Sequence, residues 1–124
     1  MGTKKLSERL EDYLEIIYIL KKEKGKARVK DIAMRLNISL PSVTEMVRKL
    51  AKKRLAKYKR YGIVELTVKG QLIAKNVYKR HKLLTSFFLS IGLDKRTAIH
   101  DACLAEHVLS KKTISKMNKF VRSS

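Results

Sequence analysis

The chain is 124 residues long and 44% hydrophobic, with 30 Lys and Arg against 11 Asp and Glu, for a formal net charge of +19. That length holds one domain or two small ones sharing a core, and a basic excess this unbalanced points to a polyanionic partner rather than an ion-paired lysine-rich surface. Apolar runs fall far short of the roughly 20 residues of a membrane span, the polar start MGTKKLSERLEDY lacks a signal-peptide core, and a lone Cys103 excludes an internal disulfide framework, so a cytoplasmic protein with no membrane partner is expected.

In chain order, Ser7 is placed to cap a first helix running to about Lys22, with Glu8 in its first turn. Leu10, Tyr13, Leu14 and Ile17 form a core stripe. Asp12, Glu15, Ile16 and Ile19 fall together on the opposite face, which predicts a second contact surface instead of a solvated back. Lys22 to Arg28 reads as a turn. A short helix follows from about Lys30 to Leu36, and Asn37 can end it in left-handed geometry. Ser39 then caps the next helix, with Pro41 in its first turn. Val43, Met46, Val47 and Leu50 are spaced to bury, which leaves Ser42, Thr44, Glu45, Arg48 and Lys49 outward.

Val29 to Leu50 therefore reads as a helix-turn-helix. The thirteen residues from Arg48 to Arg60 carry eight of the thirty basic side chains. Ala56 to Thr67 reads as a hairpin with Gly62 in the turn. Helix, helix and basic hairpin is the order of a winged helix, with Lys57, Lys59 and Arg60 as a phosphate-gripping wing. Double-stranded DNA is the partner this pattern points to.

A long helix is predicted from about Val68 to Ser90, with Ile73, Val77, His81, Leu84 and Phe88 on one face. Ile91 to Asp94 breaks it. Asp94 can cap a fifth helix to about Leu109, and Ser110 a sixth, basic helix ending near Val121. Thr67 to Gly70 is the best boundary, giving an N-terminal unit over 1–68 and a C-terminal unit over 69–124.

The chemistry-bearing residues are few. Cys103, Glu106 and His107 form C-x-x-E-H on one predicted helix, where positions i, i+3 and i+4 project within about 100° of arc, so sulfur, carboxylate and imidazole can converge on one ion. His81 interrupts an apolar stripe, and Asp12 and Glu15 lie one turn apart. Each alone has a bland reading: a small hydrophobic cysteine, a hydrogen-bonded core histidine, a solvated acidic pair. Together they are six potential ligands of a first-row metal. A catalytic zinc site is the enzyme alternative, but H-E-x-x-H, a phosphate-binding Gly-rich loop and a nucleophile elbow are all absent, so no enzyme is expected.

The stretches EDYLEIIYIL (Glu11 to Leu20), ARVKDIAMRLNISLPSVTEMVRKL (Ala27 to Leu50), LTVKG (Leu66 to Gly70), Arg80 with His81, IGLD, and CLAEHVLS (Cys103 to Ser110) resemble, in order and spacing, the metal-dependent repressors of the diphtheria toxin repressor and manganese transport regulator family. The resemblance covers nearly the whole chain. It implies a mainly α protein: an N-terminal winged helix-turn-helix with a small β-hairpin wing, followed by an all-helical dimerisation and metal-binding domain. It implies metal ligands at Asp12, Glu15, His81, Cys103, Glu106 and His107, and DNA contacts from Ser39, Pro41, Ser42 and Thr44 at the start of the recognition helix. Glu45, Arg48, Lys49 and the wing basics complete the expected DNA face; Glu45 either accepts from cytosine or deters non-specific binding.

The resemblance further implies a homodimeric repressor of metal-uptake genes on a palindromic operator. Its co-repressor would be Fe(II) or Mn(II), with Zn(II), Co(II) or Ni(II) as surrogates. Asp12 follows the manganese branch and Cys103 the iron branch; oxygen ligands suit Mn(II), while a thiolate favours Fe(II). Thr85 stands where the iron branch has an ancillary-site glutamate, and His100 lies one position from that site's histidine. The chain ends before the SH3-like third domain of the iron branch, so its length resembles the manganese branch. The alternatives are a winged-helix regulator without metal sensing and a non-specific architectural DNA-coating protein.

Overall fold

Ser7 opens α1 (Glu8–Lys24): its hydroxyl oxygen accepts a hydrogen bond from the Leu10 amide at 3.2 Å. Gly25 closes it at φ 81°, a conformation that costs a side-chain-bearing residue energy. The computed structural model in which this is seen describes residues 7–123. The expected stripe of Leu10, Tyr13, Leu14 and Ile17 is buried. Tyr18, Leu20 and Glu15 are buried too, so α1 is covered on more than one face.

The segment read as a turn from Lys22 to Arg28 is corrected at both ends. Lys22 to Lys24 remain helical, and Ala27–Arg28 form a short strand, β1. A two-residue strand carries no periodicity to read. It exists because the edge of a later strand pairs with it, while Ala27 buries its methyl group.

α2 (Val29–Leu36) ends at Asn37, in the left-handed conformation expected (φ 55°, ψ 50°). α3 (Leu40–Lys52) begins at Ser39, whose Oγ accepts from the Ser42 amide at 3.2 Å. Val43, Met46, Val47 and Leu50 are buried as their spacing predicts. β2 (Ala56–Tyr58) and β3 (Ile63–Leu66) form the hairpin, joined through a 3-10 turn at Arg60–Gly62. The sheet is antiparallel in the order β1-β3-β2, with Ala27 opposite Val64 and Lys57 opposite Glu65. Gly62 sits in the turn as expected, at φ 72°, but Tyr61 shares its left-handed conformation at φ 63°.

α4 (Val68–Ser90) starts inside the N-terminal unit. The Thr67 hydroxyl donates to the Arg54 carbonyl at 2.8 Å and accepts from the Gly70 amide at 3.1 Å. A Cβ on Gly70 would lie 2.0 Å from the Leu55 carbonyl oxygen, so only glycine admits this approach. Packing accordingly divides the chain between Lys75 and Asn76, seven residues after the 68/69 boundary that the sequence suggests. The first turns of α4 are held by the winged helix before the helix passes on.

In the C-terminal unit, Gly92 at φ 102° ends the long helix, and Asp94 caps α5 (Lys95–Ala105). The Thr97 amide and hydroxyl both donate to the Asp94 carboxylate, which holds its pKa below the usual carboxylate range. Ser110 accepts from the Thr113 amide and opens α6 (Lys111–Ser123). Val77, Leu84, Ala98 and Ala102 form a small core, and α6 has no fully buried residue. Among the described residues no helix is long and apolar enough to cross a membrane.

Candidate metal centre and DNA-binding face

In the C-terminal unit, His81 approaches both Cys103 and Glu106, and Glu106 in turn approaches His107. α5 ends at Ala105, four residues before the Leu109 expected, so C-x-x-E-H does not lie on one helix. Cys103 is on α5, Glu106 is its C-cap, and His107 is in the turn beyond. The Leu109 amide bonds back to the Ala105 carbonyl at 3.2 Å as the chain leaves the helix. Glu106 keeps helical dihedrals (φ −60°, ψ −22°), which preserves the projection the spacing predicts.

His81 Nδ1 lies 3.0 Å from Glu106 Oε2 and 3.7 Å from Cys103 Sγ. His107 Nε2 lies 3.6 Å from Glu106 Oε1. Glu106 is only 1% exposed and His107's side chain 4%, whereas Cys103 is exposed. The Cys103 sulfur, followed by the Glu106 carboxylate, pushes the His81 pKa up from 6.5 to about 10, against a smaller opposing effect of burial. The imidazole is therefore held protonated in this state.

One atom distinguishes this cluster from a structural ion pair. Glu106 Oε1 is buried and accepts no hydrogen bond among the described residues. A desolvated carboxylate oxygen without a donor costs about 1–3 kcal/mol or more. A divalent cation is the natural partner for such an oxygen beside His107, on a carboxylate whose other oxygen meets His81, so Glu106 and the two histidines fit a metal. The remaining two candidates, Asp12 and Glu15, belong to the N-terminal unit. They lie one turn apart on α1, and Glu15 is buried.

The basic face has a different character. On α3, Pro41, Glu45, Arg48 and Lys49 are exposed, and Ser42 and Thr44 are half-buried. The Ser39 hydroxyl donates to Ser42 Oγ at 2.9 Å, so both hydroxyls also serve the helix start. Leu40, Pro41, Thr44, Glu45 and Arg48 line one shallow groove. Thr44, Arg48 and Tyr58 meet in another, between α3 and β2. Tyr58 is half exposed although it lies on the sheet face of buried Ala56 and Val64, so strand alternation does not mark it as a surface residue. Lys57, Lys59 and Arg60 are exposed on the hairpin, with Lys59 Nζ 3.6 Å from Glu65 Oε1.

A helix-turn-helix with an exposed basic wing, joined to a helical unit that gathers His, Cys and Glu, defines a metal-dependent DNA-binding regulator and not an enzyme. Comparison with known proteins agrees. A profile described as the iron dependent repressor N-terminal DNA binding domain matches residues 5–64, and one described as the iron dependent repressor metal binding and dimerisation domain matches residues 67–123. The chain belongs to the iron-dependent repressor family.

The HTH-type transcriptional regulator MntR of Geobacillus thermodenitrificans (strain NG80-2) is 42% identical over 113 residues, covering 91% of this chain and 80% of that protein. MntR of Bacillus subtilis (strain 168) is equally similar, at 42% over 113 residues. The solved manganese regulator SloR superposes with a TM-score of 0.80 at 32% identity, over 93% of this chain and 54% of its own. The hypothetical protein SSo2273 from Sulfolobus solfataricus gives a TM-score of 0.69 at 28% identity, over 96% of this chain and 92% of its own. The chain thus spans about half the length of SloR and nearly all of SSo2273. The family provides DNA binding, metal dependence and dimerisation.

Proposed function

We propose that the protein represses metal-uptake genes as a cytoplasmic homodimer on a palindromic operator, with Mn(II) or Fe(II) as co-repressor. The ligand set of this reading is Asp12, Glu15, His81, Cys103, Glu106 and His107. The observation that carries it is the buried Glu106 carboxylate, whose Oε2 meets His81 while its Oε1, 3.6 Å from His107 Nε2, accepts no hydrogen bond among the described residues. The solved relatives named for manganese and the three carboxylates support Mn(II), and Cys103 supports Fe(II).

A bound divalent cation supplies positive charge that offsets the carboxylates and the thiolate. His81 must give up its Nδ1 proton to act as a ligand, because that nitrogen faces Glu106 and Cys103. Glu106 would hold the ion through its carboxylate, which would give that buried group the counter-charge it needs. Asp12 and Glu15 bring the DNA-binding unit under the same control: with ligands from both units engaged, fewer relative positions of the recognition helices remain. Two recognition helices at a fixed separation of about one DNA turn, roughly 34–36 Å, are what a palindrome demands. Metal acts only to the degree that it binds the DNA-competent state more tightly.

On the DNA side, Ser39, Pro41, Ser42 and Thr44 enter the major groove first. Glu45 points at base edges or repels non-cognate backbone, and Arg48, Lys49, Lys57, Lys59 and Arg60 hold phosphates. The test is metal content. Protein purified without chelator and loaded with Mn(II) under anaerobic conditions is expected to retain the ion through gel filtration. Glu106→Ala and Asp12→Ala proteins are expected to lose it while keeping the wild-type circular dichroism. Equal retention by all three would overturn the ligand assignment.

A further inference from the structure

The C-terminal unit contains a second polar feature that the metal centre does not use. α4 and α6 bound an open cleft of about 740 Å³. Phe87 and Phe120 pack edge to face at 5.4 Å and join the same two helices. Three cations line the cleft: Lys79 and Arg80 from α4, and Lys111 from the first turn of α6. Among the described residues none of the three is in an ion pair, and no carboxylate lines the space. Asn76 and Asn118 add two amides, and Leu83 and Ile114 add an apolar surface.

We propose that this cleft binds a small phosphate-bearing metabolite of about nucleotide size. Three unpaired cations around one concavity repel one another and lack a counter-charge, which a phosphate dianion supplies. The Arg80 guanidinium suits two phosphate oxygens at once, while each lysine acts as a point charge. Lys111 lies at the positive end of α6, which adds to the same field. The volume falls within the range of small-molecule sites, and Leu83 and Ile114 give an organic body somewhere to lie. A DNA backbone needs neither concavity nor apolar surface. A second copy of the chain is a poor occupant on charge: residues 76–124 contain ten Lys and Arg but only Asp94, Asp101 and Glu106 as acids.

The test is an NMR titration of the metal-free, full-length protein with adenosine monophosphate, inorganic phosphate and adenosine in parallel. Saturable shifts of the Asn76, Arg80 and Asn118 resonances are expected with adenosine monophosphate at sub-millimolar concentration. Phosphate and adenosine should each bind about ten-fold more weakly or less. Lys79→Glu and Lys111→Glu should each weaken binding about ten-fold or more, since a charge-assisted hydrogen bond is removed and a repulsion added. A glutamate at the start of α6 favours the helix, so lost binding at Lys111→Glu is not lost folding. Arg48→Ala should leave the midpoint unchanged. If phosphate alone binds as well as the nucleotide, the site is an inorganic-anion site and the metabolite claim fails. Shifts on α3 and the wing in place of α4 and α6, non-saturable shifts spread over all lysines, or an unchanged midpoint in Lys111→Glu would each overturn the proposal. It is equally overturned if the two lysine variants weaken operator binding while no nucleotide binds, because the cleft is then a DNA contact.

Discussion

Glu106→Gln isolates one negative charge at almost constant shape. Glu106 is 1% exposed, with Oε2 3.0 Å from His81 Nδ1 and Oε1 without a hydrogen-bond donor. In the metal-free protein the substitution turns a charge-assisted hydrogen bond into a neutral one, a loss of roughly 1 kcal/mol. It also removes the penalty of a buried, half-satisfied carboxylate, which acts in the opposite direction. The metal-free unfolding free energy should therefore change by less than about 1 kcal/mol in urea titration. Metal binding has no such offset. Changes to groups that merely orient a ligand cost about 10–100-fold in metal affinity, so neutralising a ligand itself should cost about 100-fold or more, some 2.7 kcal/mol. The assay is fluorescence anisotropy of labelled operator DNA during an anaerobic Mn(II) titration, with the midpoint expected to rise by that factor. An unchanged Mn(II) midpoint in a folded Glu106→Gln protein would refute the assignment of this carboxylate to the metal.

The pH dependence of the metal-free protein has a defined sign. His81 has a folded pKa of about 10 against 6.5 unfolded, so its contribution to stability is complete below pH 6.5 and is lost as pH rises through about 10. Urea stability should fall across that window, and Cys103→Ser should lower the His81 midpoint, read from its imidazole carbon shifts, because Cys103 is the largest cause of the elevation. Gly70→Ala forces a methyl group to within 2.0 Å of the Leu55 carbonyl oxygen, and should destabilise the protein by about 3 kcal/mol or more in thermal and urea unfolding. On the proposed DNA face, where exposed Arg48 holds a phosphate, Arg48→Ala should lower operator affinity for all sequences alike, with a shallower logarithmic salt dependence.

Long, strongly patterned segments carried their own structure. The stripe of Val43, Met46, Val47 and Leu50, capped by Ser39, fixes α3 by spacing and hydrogen-bond chemistry, and Asn37 and Gly62 mark turns that the backbone takes. What stayed hidden depends on partners distant in sequence. β1 is two residues long and is defined by its pairing to β3. Tyr61 adopts a left-handed conformation that its residue type disfavours. Gly70 looks like part of a family motif, but its physical role is set by the carbonyl of Leu55, fifteen residues earlier. Among the metal-ligand candidates, the spacing of Cys103, Glu106 and His107 carries no sign that α5 stops at Ala105, nor that Cys103 and Glu106 both reach His81. The burial of Glu106 and the lack of a hydrogen bond to its Oε1 could not be read from spacing, because they arise from packing. The cleft lined by Lys79, Arg80 and Lys111 was invisible for the same reason: its residues are ordinary surface basics until α4 and α6 are placed together.

The central claim is that metal governs a grip on DNA supplied by α3 and the wing. The direct measurement is the affinity of the full-length protein for operator DNA, under anaerobic conditions and at fixed salt, with chelator and then with saturating Mn(II) or Fe(II). At least one of the two ions should tighten binding about ten-fold or more, a coupling of about 1.4 kcal/mol. The same affinity with chelator and with each ion would contradict the account.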